Sequence, residues 1–252
     1  MNALHFIRPW VFPAVLLGAL EAYTRTAGAS SDALAPPSQA VLALLRAAAD
    51  GSLWQATAFT LGAAALGLLL GALLGIGGGI ALGLSPRAAR MSFLSVEVFR
   101  PVPSVALIPL AMLVFGFGLS LEVSVVAFAT FWPMLVLVQA ATRQVEPRLL
   151  EVAQALELNA WQRTAWIVLP ALVPRLFVAL RLGVAIALVV AVTVEIAANP
   201  NGMGYAMMIA QQSLEPALML GWLAWIGVVG VLINGLAQRL QDHLARHMGA
   251  VR

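Results

Sequence analysis

Residues 151–174 read EVAQALELNAWQRTAWIVLPALVP. The stretch opens polar and closes apolar, and Pro170 and Pro174 sit where the apolar part begins. Taken from a little further upstream, "TRQVEPRLLEVAQALELNAWQRT" is too polar to cross a bilayer and too regular to be a plain loop. Pro147 suits the first turn of a helix, where its missing N–H costs nothing. Leu149, Val152, Ala153, Leu156 and Ala160 recur at helical spacing, with Glu151, Gln154 and Leu158 on another side. The pattern predicts a short surface helix, one face against the body of the protein and one face offered outward. From these residues alone, the outward face could rest on lipid headgroups as readily as on a partner.

The rest of the chain supplies the lipid. Of its 252 residues, 62% are hydrophobic and only 10% charged, with a mean hydropathy of +0.94. Soluble domains carry roughly 25% charged residues. Six apolar stretches are long enough to span a bilayer, at about 9–27, 53–84, 94–117, 121–142, 165–198 and 217–239. The expected fold is therefore an all-α integral membrane protein of six transmembrane helices, with no polar block large enough for a separate soluble domain. An N-terminal unit of 1–33, a helix and an outer loop, precedes a core of 34–252, and the polar segment occupies about 146–164 of that core. No cleavable signal peptide is expected, because no small-x-small site follows the first apolar stretch closely.

Charge placement orients the chain. The net charge of +3 comes from 14 basic residues, all arginine, against 11 acidic ones. With the N-terminus inside, twelve arginines fall on the inner side and only Arg25 and Arg46 outside, which predicts that both termini are cytoplasmic. Arginines spread over the ends of apolar segments argue against nucleic acid as a partner. The absence of lysine excludes a standard P-loop, and the absence of cysteine excludes disulfides and thiolate-bound metal. His243 and His247 are four apart near the C-terminus, but no third ligand is near, so no metal is expected. No Ser/His/Asp set and no paired carboxylate stands at a catalytic spacing, so no enzyme is expected either.

Several local patterns add detail. In the second span Gly67, Gly71, Gly75, Gly79 and Gly83 recur every four residues and line one helix face, a groove for close helix packing. In the third, Pro101, Pro103 and Pro109 predict a kink, whether pore-lining or merely packed. Between the first two spans, Ser38 is placed to cap a helix from about Gln39 to Ala49, with Val41, Leu42, Leu45 and Ala48 on one face. The candidates for a pathway or gate are Gln139 and, around the outer end of the fifth span, Thr193, Glu195, Asn199 and Met203. Glu195 could equally hold the following loop, "NPNGMGYAMM", by hydrogen bonds. Thr142, Gln211 and Gln212 are weaker polar candidates. Glu21, Glu97, Glu122 and Glu195 all map near span ends, which leaves little for ion coupling at the midplane.

The polar segment resembles the signature of binding-protein-dependent ABC importer permeases. That signature has a Glu-Ala-Ala start, a glycine six residues after the Glu, then Leu-Pro and a second proline. Here Glu151, Val152 and Ala153 open it, and Leu169, Pro170 and Pro174 close it. "RPVPSVALIPLAMLVFGFG", "ALRLGVAIALVVAVTVEI", "NGMGYAMMIAQQ" and "PPSQAVLALLRAAADGSLWQAT" are similar to segments of the branch that imports nitrate, bicarbonate, taurine and alkanesulfonates. The resemblance covers roughly 34–240. It implies a type I importer permease in which the polar segment is a coupling helix, with Glu151, Val152, Ala153, Leu156, Glu157, Leu158, Asn159 and Ala160 meeting a separate ATPase subunit. It also implies a second copy of the chain, two ATPase subunits that bind ATP and magnesium, a periplasmic or lipid-anchored binding protein, and a place in the bacterial inner membrane. The substrate it implies is a small anion or sulfonate. An aromatic acid or vitamin precursor imported by the same architecture is the alternative, and a stand-alone secondary transporter or channel is the alternative class. Two positions depart from the signature. Val152 replaces alanine, and Glu157 stands where the family has a glycine. Since glutamate disfavours positive φ, the turn is expected to differ or to move to Asn159.

Overall fold

The computed structural model describes residues 3–26 and 34–247. The outer loop expected in the N-terminal unit falls largely outside the described residues, as does the C-terminal Arg252. The elements are α1 (Ala3–Arg25), α2 (Pro37–Ala49), α3 (Ser52–Leu84), α4 (Pro86–Phe99), α5 (Ile108–Phe115), α6 (Leu119–Arg143), α7 (Pro147–Ala155), α8 (Ala160–Arg163), α9 (Leu169–Ala197), α10 (Gly202–Gln212) and α11 (Pro216–His247). No strand occurs among the described residues. Among the described residues, four helical stretches are long and apolar enough to cross a membrane: α3, α6, the run 160–197, and α11; α1, the first expected span, is not one of them. The broken pair α4 and α5 would make a fifth.

Helices α3 and α6 form the centre, and their contact follows from glycine spacing. A Cβ on Gly67 would stand 2.5 Å from the Val126 side chain. On Gly75 it would stand 2.6 Å from Met134 Cβ and 2.8 Å from the Phe131 carbonyl oxygen, and on Gly79, 2.7 Å from Val138 Cβ. Gly71 faces Thr130 and the Ala127 carbonyl, and Gly83 faces Thr142. Each four-residue step along α3 is matched by a four-residue step along α6 in the same chain direction, so the two helices run parallel. Helix α9 closes the group, with Met134, Ala72 and Ala179 in one buried cluster and Ile80, Val138, Val168 and Leu172 in another.

The third expected span, 94–117, is not one kinked helix. It is α4, a one-turn 3₁₀ segment (Ser104–Leu107) and α5, with 84° between the two parts. Arg100 still has helical geometry, φ −56° and ψ −45°, and α4 stops there because Pro101 has no N–H to carry the hydrogen-bond ladder further. Pro103 removes a second donor, and the chain restarts only when Pro109 reaches the first turn of α5, where it is harmless. Prolines in sequence mark where a helix breaks; the angle is set by what the pieces pack on.

Helix α2 also differs from expectation. It starts at Pro37 after Pro36, and Ser38 does not cap it. Ser38 instead donates to Glu21 through its hydroxyl at 2.7 Å and its N–H at 3.0 Å, joining α2 to α1. Val41, Leu42 and Leu45 are exposed, while Ala40 and Leu44 lie against Gly221 of α11. Trp225 of α11 donates to Thr57 at 2.9 Å and meets Trp54 edge-on at 5.9 Å.

The glycine contacts make a direct prediction. Gly75→Ala should destabilise the protein by about 1–3 kcal/mol through overpacking. Gly77→Ala, on the same helix with nothing within 4 Å of the added carbon, should be neutral or slightly stabilising. Thermal unfolding of the two variants in the same detergent measures the difference.

Candidate functional site

Two polar regions lie at opposite ends of the helix group. One end holds the polar segment after α6. Pro147 occupies the first turn of α7, and the helix runs only to Ala155. The expected stripe does not all turn inward. Ala153 is buried at 1% exposure and Leu150 packs against the cluster of Val138, Val145, Val168 and Leu172, whereas Val152 and Leu156 are 49% and 63% exposed. Trp161, at 78%, projects alongside them. A cavity of about 540 Å³ lined by Pro147, Glu151, Gln154, Leu158 and Arg163 opens on the same surface.

The turn after α7 overturns one expectation. Glu157 itself adopts positive φ, at +52°. Its N–H donates to the Gln154 carbonyl at 3.0 Å, and the Leu158 N–H donates to the Ala153 carbonyl at 3.0 Å. This pair of bonds is the Schellman closure of a helix, whose left-handed position is commonly glycine. Leu214 does the same at the end of α10, with φ +55°. Satisfying the last carbonyls of the helix outweighs the local strain in both places. Asn159 is extended, with φ −68° and ψ 169°, and caps the next helix. Its carboxamide accepts from Gln162 N–H at 2.8 Å, and Gln162 accepts from Asn159 N–H at 3.0 Å. The chain then widens into a π turn, Thr164–Val168, just before Pro170, whose ring cannot fit a regular α turn above it.

The opposite end is organised by two buried carboxyls. Glu122 in the first turn of α6 and Glu195 near the end of α9 are both 0% exposed and lie beside each other. Asn199 Nδ2 donates to Glu122 Oε2 at 2.5 Å, and the Gly204 N–H donates to Glu195 Oε2 at 2.7 Å. The Met203 N–H donates to Thr60 Oγ1 of α3 at 2.9 Å. The stretch "NPNGMGYAMM" is therefore a short connector at 199–201 followed by the start of α10, whose first two N–H groups beyond Gly202 are held by Thr60 and Glu195. Gly202, with φ +90°, sits so close to the Glu195 carboxyl that any side chain would strike it.

The structure gathers Glu195, Asn199 and Met203 but not the other gate candidates. Met203 is fully buried among Leu53, Ala210 and Trp222, so it packs rather than lines a path. Thr193 donates back to the Val189 carbonyl of its own helix at 2.7 Å. Gln139 lies toward the other end of α6, and its carbonyl faces Gly83. Thr142 bonds to the Val138 carbonyl, and Gln211 and Gln212 are exposed. Glu122 was legible only as an acid near a span end. Its partners, Asn199 and Glu195, lie far along the chain, and a carboxylate pair made by folding leaves no spacing signature.

Residues 67–250 match the family described as binding-protein-dependent transport system inner membrane component. The chain is 30% identical over 236 residues to a protein of Bacillus subtilis (strain 168) named as an aliphatic sulfonates transport permease, covering 94% of this chain and 86% of that one. It is 30% identical over 224 residues to the taurine transport system permease of Escherichia coli (strain K12), covering 87% and 82%. It is 26% identical over 187 residues to a nitrate import permease of Leptolyngbya laminosa, covering 74% and 67%. Among solved structures, an inward-facing form of the MetNI methionine ABC transporter shares the fold, with a TM-score of 0.67 at 17% identity over 80% of this chain and 99% of that one.

Two predictions follow from the two ends. Glu195→Ala should cost about 1–3 kcal/mol by leaving the Gly204 N–H unpaired, while Glu195→Gln, which keeps an acceptor oxygen, should cost less; thermal unfolding orders the two. Glu157→Gly should stabilise by about 1 kcal/mol by relieving the left-handed strain, and Glu157→Val should do the reverse.

Proposed function

The chain belongs to the binding-protein-dependent transport system inner membrane component family, and from that premise we propose that it is the permease subunit of an ATP-driven importer of a small organic sulfonate or related anion. Similarity to sulfonate and taurine permeases along nearly the whole chain carries this reading. Six spans are assigned: α1, α3, the broken pair α4–α5, α6, the run 160–197 and α11, with both termini cytoplasmic. In this arrangement segment 146–164 lies on the cytoplasmic side and the Glu122–Glu195 pair on the outer side.

The segment's exposed apolar residues, Val152, Leu156 and Trp161, and the polar cavity holding Glu151 and Arg163 suit a protein surface better than bulk water. We assign this surface to a separate ATPase subunit. Two permeases, two ATPases and a soluble binding protein complete the assembly. The chain holds no nucleotide. It offers two arrangements of its helices, and nucleotide binding at one face and loaded binding protein at the other shift the balance between them.

The test is co-purification. Glu151→Arg places a cation in the cavity next to Arg163. The variant should insert and fold normally yet retain the co-expressed ATPase subunit at least about tenfold more weakly, a loss of about 1.4 kcal/mol. An ATPase that remains bound to this variant and to Leu156→Asp counts against the assignment. Uptake of taurine by the purified chain alone, without ATP, would instead identify a secondary transporter.

A further inference from the structure

Arg100 ends α4 at the break before Pro101, and it opens onto a cavity of about 290 Å³ shared with Ser104, Phe128, Trp132, Pro133 and Val190. The depth of that cavity follows from α6. Trp132 is thirteen residues from Leu119 and eleven from Arg143. At about 1.5 Å per residue this is close to the middle of the span. The start of α4 adjoins the Gly83–Thr142 level of the helix group, and its last residue, Phe99, stacks on Trp132 at 6.1 Å. Helix α4 therefore climbs from one end of α6 to its midpoint and delivers Arg100 there.

A guanidinium at that depth demands a partner or a wet cavity. Its side chain is 50% exposed and makes no side-chain hydrogen bond among the described residues. Its nearest counter-charge is Glu97 on the same helix, with Nη1 and Oε1 3.7 Å apart, too long for a hydrogen bond. By contrast, Arg181 of α9 donates to Gln238 of α11 at 3.2 Å, and Arg175 donates to the Ala141 carbonyl at 3.0 Å. Trp132 lines the same cavity with its ring, while its indole Nε1 is buried away from solvent. The site thus combines a forked cation with aromatic walls built by Phe128 and Trp132, which meet edge-on at 5.8 Å.

We propose that Arg100 and Trp132 form a mid-membrane binding site for an organosulfonate anion, the sulfonate oxygens on the guanidinium and the short organic tail against Phe128 and the Trp132 ring. This rests on the permease reading and deepens it. A sulfonate offers three acceptor oxygens and a single charge, which matches the planar fork of arginine. The cavity is at the small end of ligand pockets, so a short tail fits and a bulky one does not. An inorganic anion such as nitrate would leave the aromatic walls uncovered.

The test uses the permease–ATPase complex without its binding protein, and ethanesulfonate as the probe. Millimolar ethanesulfonate should raise the unfolding temperature of the wild-type complex beyond the effect of equal sodium chloride. Arg100→Gln should abolish that shift, and Arg100→Lys should retain only part of it. The unfolding temperature in ligand-free buffer reports whether each variant is folded. With binding protein and ATP restored in proteoliposomes, uptake of labelled taurine should fall about ten- to hundredfold in Arg100→Gln, the range of a lost charged hydrogen bond, and less in Trp132→Phe. Wild-type shifts and uptake that persist in Arg100→Gln overturn the site while leaving the permease reading intact. A wild-type complex that imports no sulfonate with ATP overturns both.

Discussion

Everything in this molecule is hung on the close approach of α3 and α6. Inside a bilayer, lipid tails are as apolar as leucine, so burial alone does not drive helices together. What remains is contact. The glycines of α3 let its backbone reach the backbone of α6 at successive levels, from Val126 through Met134 to Thr142. A single larger residue at any of them would push apart not one contact but a row, because the two helices are stiff rods. The seam is therefore the reference frame in which both polar ends are defined.

At one end, the frame fixes Thr60 and Glu122 on adjacent rods, and these receive α9 and α10. The Met203 N–H on Thr60, the Gly204 N–H on Glu195 and the Asn199 carboxamide on Glu122 tie four helices together in one polar knot. Its burial makes the knot demanding, since each acceptor lost strands a donor where no water replaces it. At the other end, α3 and α6 finish at Gly83 and Thr142, and α7 turns beneath them with Ala153 and Leu150 inward. The exposed residues of that segment are then fixed in position by what lies under them.

Local signals in the sequence were faithful where the cause was local. Five glycines in helical register lie on one face whatever they meet, and Pro147 at a helix start needs no distant partner. The break near Pro101 was readable as a break, but its 84° angle was not, because the angle depends on what the two pieces pack on, as where Phe99 stacks on Trp132. Glu157 misled for a similar reason. Residue preference favoured moving the turn to Asn159, yet Asn159 was already committed to the capping box with Gln162, and the carbonyls of α7 needed closing at Glu157. Ser38 looked like a cap and is a bridge to Glu21, since Pro36 and Pro37 had already set the helix start. Glu122 and Asn199 make the longest reach of all, and nothing near either residue announces the other.

The two ends are joined by one continuous rod. Residues 160–197 form a single helical run of 38 residues, about 57 Å at 1.5 Å per residue, far longer than the roughly 30 Å of hydrocarbon. It begins at the Asn159 capping box and ends at the carboxyl knot. Its irregular places are the π turn at Thr164–Val168, next to Pro170, and Pro174 inside α9, which lacks the N–H of a regular turn. Beyond them Arg175 grips the Ala141 carbonyl at the closing turn of α6, a cation at the negative end of a helix. The irregular backbone is thus confined to the stretch between the surface segment and the first anchor on the frame.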